Sequence, residues 1–303
     1  MTELSKDILA RFQVRKTKTQ KTAFIERMQA AYPELTVEAG GFGKPRNLVI
    51  GNIETAQVVF TAHYDTCARL PFPNFITPLN IPLYLLYQLL ITLPLLALMF
   101  CAVHFITLWT GEFPIGYAAM WLVLAAFLWM MLGGPANQTT VNDNTSGVLT
   151  LCEILAAMTP EEREKAAFVF FDLEEAGMFG SSRFAQVHKK EMKDKLLMNF
   201  DCVSDGDHFL LVQSKKARLR WENVICEAFG PVPDKEVHIE RASRAIYPSD
   251  QSQFPCGVGV AALNRKKGIG LYMDKIHTKR DTVLDERNIL YLRDASRRLT
   301  TLL

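Results

Sequence analysis

Histidines and acidic residues recur along this chain in a set that could bind metal and activate water. His63 and Asp65 lie in His63-Tyr64-Asp65, and Asp143 lies between Asn142 and Asn144. Glu174-Glu175, Asp201 in Asn199-Phe200-Asp201, and His277 in His277-Thr278-Lys279-Arg280-Asp281 complete the series. Imidazole nitrogens and carboxylate oxygens are the donors that zinc accepts, with manganese and cobalt as related choices. Two adjacent glutamates divide the labour well, one binding metal while the other holds the attacking water as general base. Asp65 suits a supporting part, accepting a bond from a ligating imidazole and so fixing its tautomer.

Each motif also has a plainer reading. Asp143 in a polar loop before an apolar helix could be an N-cap. Glu-Glu pairs are common at helix starts, Asp201 could close a turn, and a His-x-Asp pair could sit at an exposed strand end. His104, His188, His208 and His238 have no partner at metal-binding spacing and are set aside.

The elements around the motifs favour the metal reading. The run 57–62 is short and β-rich and delivers His63 and Asp65 at its C-terminal end. Ala166 to Phe171 is a continuous apolar strand that ends at Glu174 and Glu175, and Leu196 to Phe200 is another that ends at Asp201. Val258 to Leu263 is a third candidate. Helical patterns cover 147–158 and 284–302, and Thr159-Pro160-Glu161-Glu162 opens a further helix. Buried apolar strands separated by helices predict an α/β three-layer sandwich with a mixed, mostly parallel central sheet. Ligands gather at the carboxyl ends of strands in such sheets.

One stretch breaks the pattern. Between Arg69 and Asp143 the only charged side chain is Glu112. The runs 81–109 and 115–132 are almost wholly apolar, and each meets the roughly 18 residues needed to cross a hydrocarbon core of about 30 Å. Thr110-Gly111-Glu112-Phe113-Pro114 separates them as a turn. Neither run has the polar stripe of a soluble helix. The expectation is a two-helix transmembrane hairpin within residues 70–135, inserted into a discontinuous body of 1–69 and 136–303. Every Lys and Arg lies outside the two spans, so the positive-inside tendency places both ends of the hairpin, and the hydrolytic body, on the cytoplasmic side of the cell membrane. The lipid bilayer is therefore an expected partner.

The remaining composition excludes several classes. At 303 residues with a net charge of +2, and with basic residues scattered rather than striped, the chain is a poor nucleic-acid binder. Residues 1–30 lack the apolar core of a signal peptide and read as one polar amphipathic helix packed on the body. Six cysteines without a C-x-x-C pair read as free thiols in a reducing compartment.

Taken together, the segments Thr61-Ala62-His63-Tyr64-Asp65-Thr66, Asn142-Asp143-Asn144-Thr145-Ser146-Gly147, Phe171-Asp172-Leu173-Glu174-Glu175-Ala176-Gly177, Asn199-Phe200-Asp201, Ser249-Asp250 and His277-Thr278 with Asp281-Thr282 resemble the co-catalytic zinc aminopeptidase family. That family includes bacterial leucine aminopeptidases, glutamate carboxypeptidase and glutaminyl cyclases. The resemblance covers about 40–70 and 136–300. It implies two zinc ions bridged by Asp143, one completed by Glu175 and His277 and the other by His63 and Asp201. Glu174 would take a proton from a metal-bridging water and return it to the leaving amine. Asp250 would lie among residues that grip substrate. Gln251, Ile276 and Lys279-Arg280 depart from the family pattern close to the substrate, and the hairpin replaces a short loop.

The reading that follows is a membrane-anchored metallo-aminopeptidase acting on peptides. A glutaminyl-cyclase-like acyltransferase, or an amidase acting on lipidic N-acyl amino acids, is the alternative. A non-catalytic relative that keeps the fold as a binding module is more remote, because no ligand is missing.

Overall fold

A computed structural model describes residues 1–303. Its mixed sheet runs β1 (Thr36–Ala39), β2 (Arg46–Ile50), β4 (Ala166–Phe171), β3 (Val58–His63), β5 (Leu196–Phe200), β8 (Gly257–Lys266), β6 (His208–Gln213) and β7 (Glu236–Arg241), with β9 (Gly270–Tyr272) against β8. The central strands β4, β3, β5 and β8 are parallel. Antiparallel pairs flank them at β1–β2, β2–β4 and β6–β8, and β7 pairs parallel with β6 at the edge.

Side-chain alternation along the strands divides the apolar residues between two layers. Phe60, Ala62, Phe168, Phe170, Met198 and Phe200 face one side. There they meet helices α1 (Glu3–Arg11), α2 (Lys18–Ala31), α5 (Gly147–Ala157), α8 (Lys215–Ala228) and α9 (Glu286–Leu302). Val59, Val169, Phe171 and Leu197 face the other side, against Phe184 of α7 (Phe179–Val187) and Phe254. The short α6 (Pro160–Lys165), opened by a capping box of Thr159 and Glu162, leads directly into β4. The result is an α/β three-layer sandwich.

The N-terminal region differs from the single helix expected. Residues 12–17 separate α1 from α2, and Thr17 caps α2 in a box with Gln20. The break exists because Arg15 turns inward and is fully buried. Its guanidinium donates to the carbonyls of Phe12 and Tyr64 and to Thr145 Oγ1, and it lies 5.3 Å from the Phe24 ring centre. A second buried cation, Lys21 on α2, donates to Asp172 Oδ1 at 2.7 Å, just after β4. Removing one partner of such a buried pair leaves an uncompensated charge and costs about 3–5 kcal/mol. Lys21→Met is therefore expected to lower the denaturant midpoint strongly, whereas Lys21→Met with Asp172→Leu recovers much of the loss. Equal midpoints for wild type and the single variant would remove this account.

The apolar insertion forms α3 (Ile81–Thr110) and α4 (Phe113–Leu128), and a π-helical turn, Trp129–Gly133, extends the latter. Gly111 closes α3 with φ 74°, a left-handed cap that glycine adopts without steric penalty. Thirty residues at the helical rise make α3 about 45 Å long, more than a hydrocarbon core requires. α3, and α4 together with its π-helical turn (Phe113–Gly133), are long and apolar enough to cross a membrane, and no residue of α3 is buried by the rest of the chain. Within the hairpin, α4 approaches α3 at Gly116, where a Cβ would collide with Thr107 and the Val103 carbonyl. Small residues permit such close helix contact in lipid.

The roots of the insertion are stitched to the body. Ala68 pairs with Ala136, Arg69 N–H donates to the Pro135 carbonyl and Asn137 N–H donates to that of Cys67. Leu70 N–H donates to the carbonyl of His277 at 2.8 Å, and Ile76 pairs with Met273. All six cysteines are free.

Candidate metal centre

Parallel pairing carries the acidic loops to one edge of the sheet. His63 ends β3 in register with Phe171 of β4, whose following loop holds Glu174 and Glu175. On the other side, Thr61 of β3 is in register with Asn199 of β5, which leads into Asp201. The loop Val141–Ser146, ahead of α5, brings Asp143 over these strand ends. His277 comes from the segment after β9.

The five expected ligands meet with specific spacing. His63 Nε2 lies 3.4 Å from Asp143 Oδ1 and 3.5 Å from Asp201 Oδ1. His277 Nε2 lies 3.1 Å from Asp143 Oδ2 and 3.4 Å from Glu175 Oε2. Donors at roughly 2.0–2.1 Å from one tetrahedral zinc are about 3.3–3.4 Å apart, which these separations match. Glu175 Oε1 is buried without a hydrogen-bond partner, as an oxygen kept for a cation would be. The donor set therefore fits zinc.

Charge balance points the same way. Asp65, Asp143, Asp201 and Asp250 are buried, with Glu174 and Glu175 half-buried beside them. Burial drives Glu174 well above the usual carboxylate range, opposed by His63 and reinforced by Asp250, Glu175 and Asp201. Burial likewise pushes Glu175 up to about 8, with His277 opposing. Burial favours neutral His277, yet Glu175 and Asp143 raise it to about 9. This is an anionic pocket short of positive charge, and divalent ions relieve that shortage.

The supporting residues are more specific than the sequence suggested. His63 Nδ1 lies 3.1 Å from the backbone carbonyl of Asp65 but 3.7 Å from its carboxylate. The carbonyl, rather than the carboxylate expected, thus orients the imidazole. The Asp65 carboxylate instead accepts the backbone N–H groups of Glu174 and Glu175 at 3.0 and 3.3 Å, aiming both glutamates. Asp143 is not an N-cap: Ser146 holds that position, and Asn144 Oδ1 accepts from Gly147 N–H. Leu173, Cys202 and His277 each have φ between 55° and 61°, so left-handed residues stand at or beside three of the motifs. Non-glycine residues of this kind cluster at functional sites.

Several residues quoted in the motifs carry contacts that the sequence reading did not assign. Asp281 accepts the N–H groups of Asn142 and Asp143 at 2.7 and 3.0 Å, tying the central aspartate to the His277 segment. Asn142 Oδ1 accepts from Ser204 and Asp205 N–H, and Asn144 Nδ2 donates to Phe200 O. Gln251 bonds Asn199, joining the β5 end to the 249–253 turn. Asn, Asp and Gln in loops carry too many possible partners for spacing alone to reveal these. Asp250 is fully enclosed with neither carboxylate oxygen hydrogen-bonded, and burial pushes it up to about 7 against the pull of His63.

Two clefts flank the centre. One of about 500 Å³ is bordered by Arg69, Pro71, Pro73, Thr278, Lys279 and Arg280, so the unusual Lys279-Arg280 pair faces the hairpin root. A smaller one of about 120 Å³ joins Asp65 and Glu175 to Met131 and Leu132 at the foot of α4. A wider groove along Ile50, Arg163 and Phe168 contains none of the site residues.

An α/β sandwich with this donor set at its strand ends defines the class of metal-dependent hydrolases. Residues 121–291 match the model of peptidase family M28, more than half of the chain, and the chain belongs to that family. It is a zinc-dependent hydrolase of the peptidase type, with peptides as its substrate class. The comparison with curated proteins finds no match. Among solved structures, a Porphyromonas gingivalis glutaminyl cyclase is similar at 13% identity and a TM-score of 0.58, with 98% of this chain and 96% of that one covered. A Zn-dependent exopeptidase from Parabacteroides distasonis aligns at 12% identity and 0.54, covering 99% and 94%. The Legionella pneumophila LapA aminopeptidase aligns at 12% and 0.55, covering 99% and 70%. These likenesses show the shared fold.

Proposed function

We propose that this chain is a membrane-anchored metallo-aminopeptidase with two zinc ions, which hydrolyses N-terminal peptide bonds. The carrying observation is Asp143, whose two oxygens face different imidazoles, Oδ1 toward His63 and Oδ2 toward His277. On this reading His63 and Asp201 hold one ion, Glu175 and His277 hold the other, and Asp143 serves both. When bound, the ions polarise the scissile carbonyl and stabilise charge on its oxygen. Glu174 accepts a proton from the attacking water and delivers it to the leaving amine. Asp65 positions Glu174 through its backbone amide. Asp250, enclosed near Glu174, adds negative charge that raises the proton affinity of the base. Manganese or cobalt would fit the same donors.

Residues 1–69 and 136–303 form the hydrolytic body on this reading, and 70–135 anchor it with both roots on the cytoplasmic side. The exposed apolar surface of α3 and α4 supports a bilayer partner, since Trp109 is 83% exposed and Phe100 71%. A cysteine placed at the Thr110–Pro114 tip, with Cys101 and Cys226 replaced by serine, is expected to react with an impermeant reagent only from the non-cytoplasmic side. Reaction from the cytoplasmic side alone overturns the spanning arrangement.

A second reading, an amidase acting on lipidic N-acyl amino acids, draws on the small cleft in which Met131 and Leu132 border Asp65 and Glu175. A glutaminyl-cyclase-like acyltransferase also remains, given the similarity to that fold. The detergent-solubilised chain should be assayed against aminoacyl amides, peptides beginning with glutamine and N-acyl amino acids. The expected result is release of N-terminal amino acids, abolished by a chelator and restored by zinc. Pyroglutamate or fatty-acid release without aminopeptidase turnover would replace the leading reading.

A further inference from the structure

His208, His238 and Glu236, all set aside or unnoticed in the sequence, converge at the β6–β7 edge of the sheet. Strands β6 and β7 are parallel, with His208 opposite Glu236 and Leu210 opposite His238. Glu236 and His238 are two apart on β7 and so share a face, next to His208. His208 Nδ1 lies 3.1 Å from His238 Nε2. Glu236 Oε2 lies 3.4 Å from the former and 3.6 Å from the latter.

We propose that His208, His238 and Glu236 form an additional divalent-metal site, separate from the hydrolytic centre, that clips edge strand β7 to β6. Three donor atoms point at one another at separations close to the edges of a tetrahedron around zinc, about 3.3–3.4 Å. The two imidazoles lie within hydrogen-bond distance of each other, whereas the carboxylate stands beyond ordinary hydrogen-bond distance from both and completes a three-donor cluster. Two imidazoles and a carboxylate suit zinc, with cobalt, nickel or copper as competitors. His238 also borders a cleft of about 520 Å³ lined by Asn80, Pro82, Arg265 and Ile269 at the root of α3. Arg265 Nη1 stands 3.6 Å from Glu236 Oε2, and its side chain is 61% exposed, so it can swing into solvent. β7 pairs with β6 on one side only, and a metal shared between the two strands would help hold that pairing in register.

The test uses the full chain in detergent, stripped of metal and dialysed against zinc. His208→Gln/His238→Gln is expected to bind one equivalent of zinc fewer than wild type while keeping its hydrolytic activity. Zinc should also slow amide exchange across residues 236–241 in wild type but not in the double variant. Equal zinc uptake by the two proteins, or zinc-independent exchange of β7 in wild type, overturns the proposal. The hydrolytic reading stands or falls separately, because Glu174→Gln leaves this site intact.

Discussion

Glu174→Gln is expected to reduce hydrolysis by about a hundred- to ten-thousand-fold, the range that positioned acid–base groups contribute. Each factor of ten corresponds to about 1.4 kcal/mol of transition-state stabilisation. The substitution keeps the volume of the side chain and the backbone N–H that Asp65 Oδ1 accepts at 3.0 Å. It removes only the capacity to take up a proton, so zinc content and KM should change little while kcat falls. Elemental analysis beside steady-state kinetics separates these effects. Wild-type turnover in the variant would mean that another group moves the proton. A loss of zinc in parallel with activity would instead make Glu174 a metal ligand.

What the sequence made legible follows from the physics of strands. β3, β4 and β5 are six-, six- and five-residue runs buried throughout. Such runs stand out as unbroken apolar text, and the polar residues that follow them mark the carboxyl edge. The hairpin was legible for the same reason, because a charge-free stretch has few structural uses. The contacts that hold the site together were not. Asp65 grips amides more than a hundred residues away, and Asp281 reaches back to the loop before α5. Backbone N–H groups are present at nearly every position, so no residue type announces such a bond. Edge strand β1 is four residues long and mostly exposed, with nothing in its composition to separate it from loop. The break between α1 and α2 was hidden because a fully buried arginine is rare. The pairing of His208 with His238 needed the crossover topology of β6 and β7, which no spacing rule supplies.

Asp143→Ala should have the widest consequences of any single change. Asp143 lies against both imidazoles, whereas Asp201 lies against His63 and Glu175 against His277. On the two-ion reading, His63→Ala or His277→Ala weakens one ion and Asp143→Ala weakens both, with hydrolysis lost. The folding response has a distinctive sign. Without metal, burial favours neutral Asp143, yet His277 and His63 hold its carboxyl well below the usual carboxylate range, so its charge stabilises the fold. Its removal leaves two buried imidazoles without their shared counter-charge, so stripped Asp143→Ala is expected to unfold earlier than stripped wild type. Zinc then separates the two proteins further. At a hundredfold excess over its dissociation constant, a ligand bound only by the folded state stabilises it by about 2.7 kcal/mol per site, and the variant should forfeit that gain. Denaturant titrations with and without zinc read both halves of the prediction. An Asp143→Ala protein that retains full zinc stabilisation would remove Asp143 from the centre of the site, and with it the two-ion arrangement.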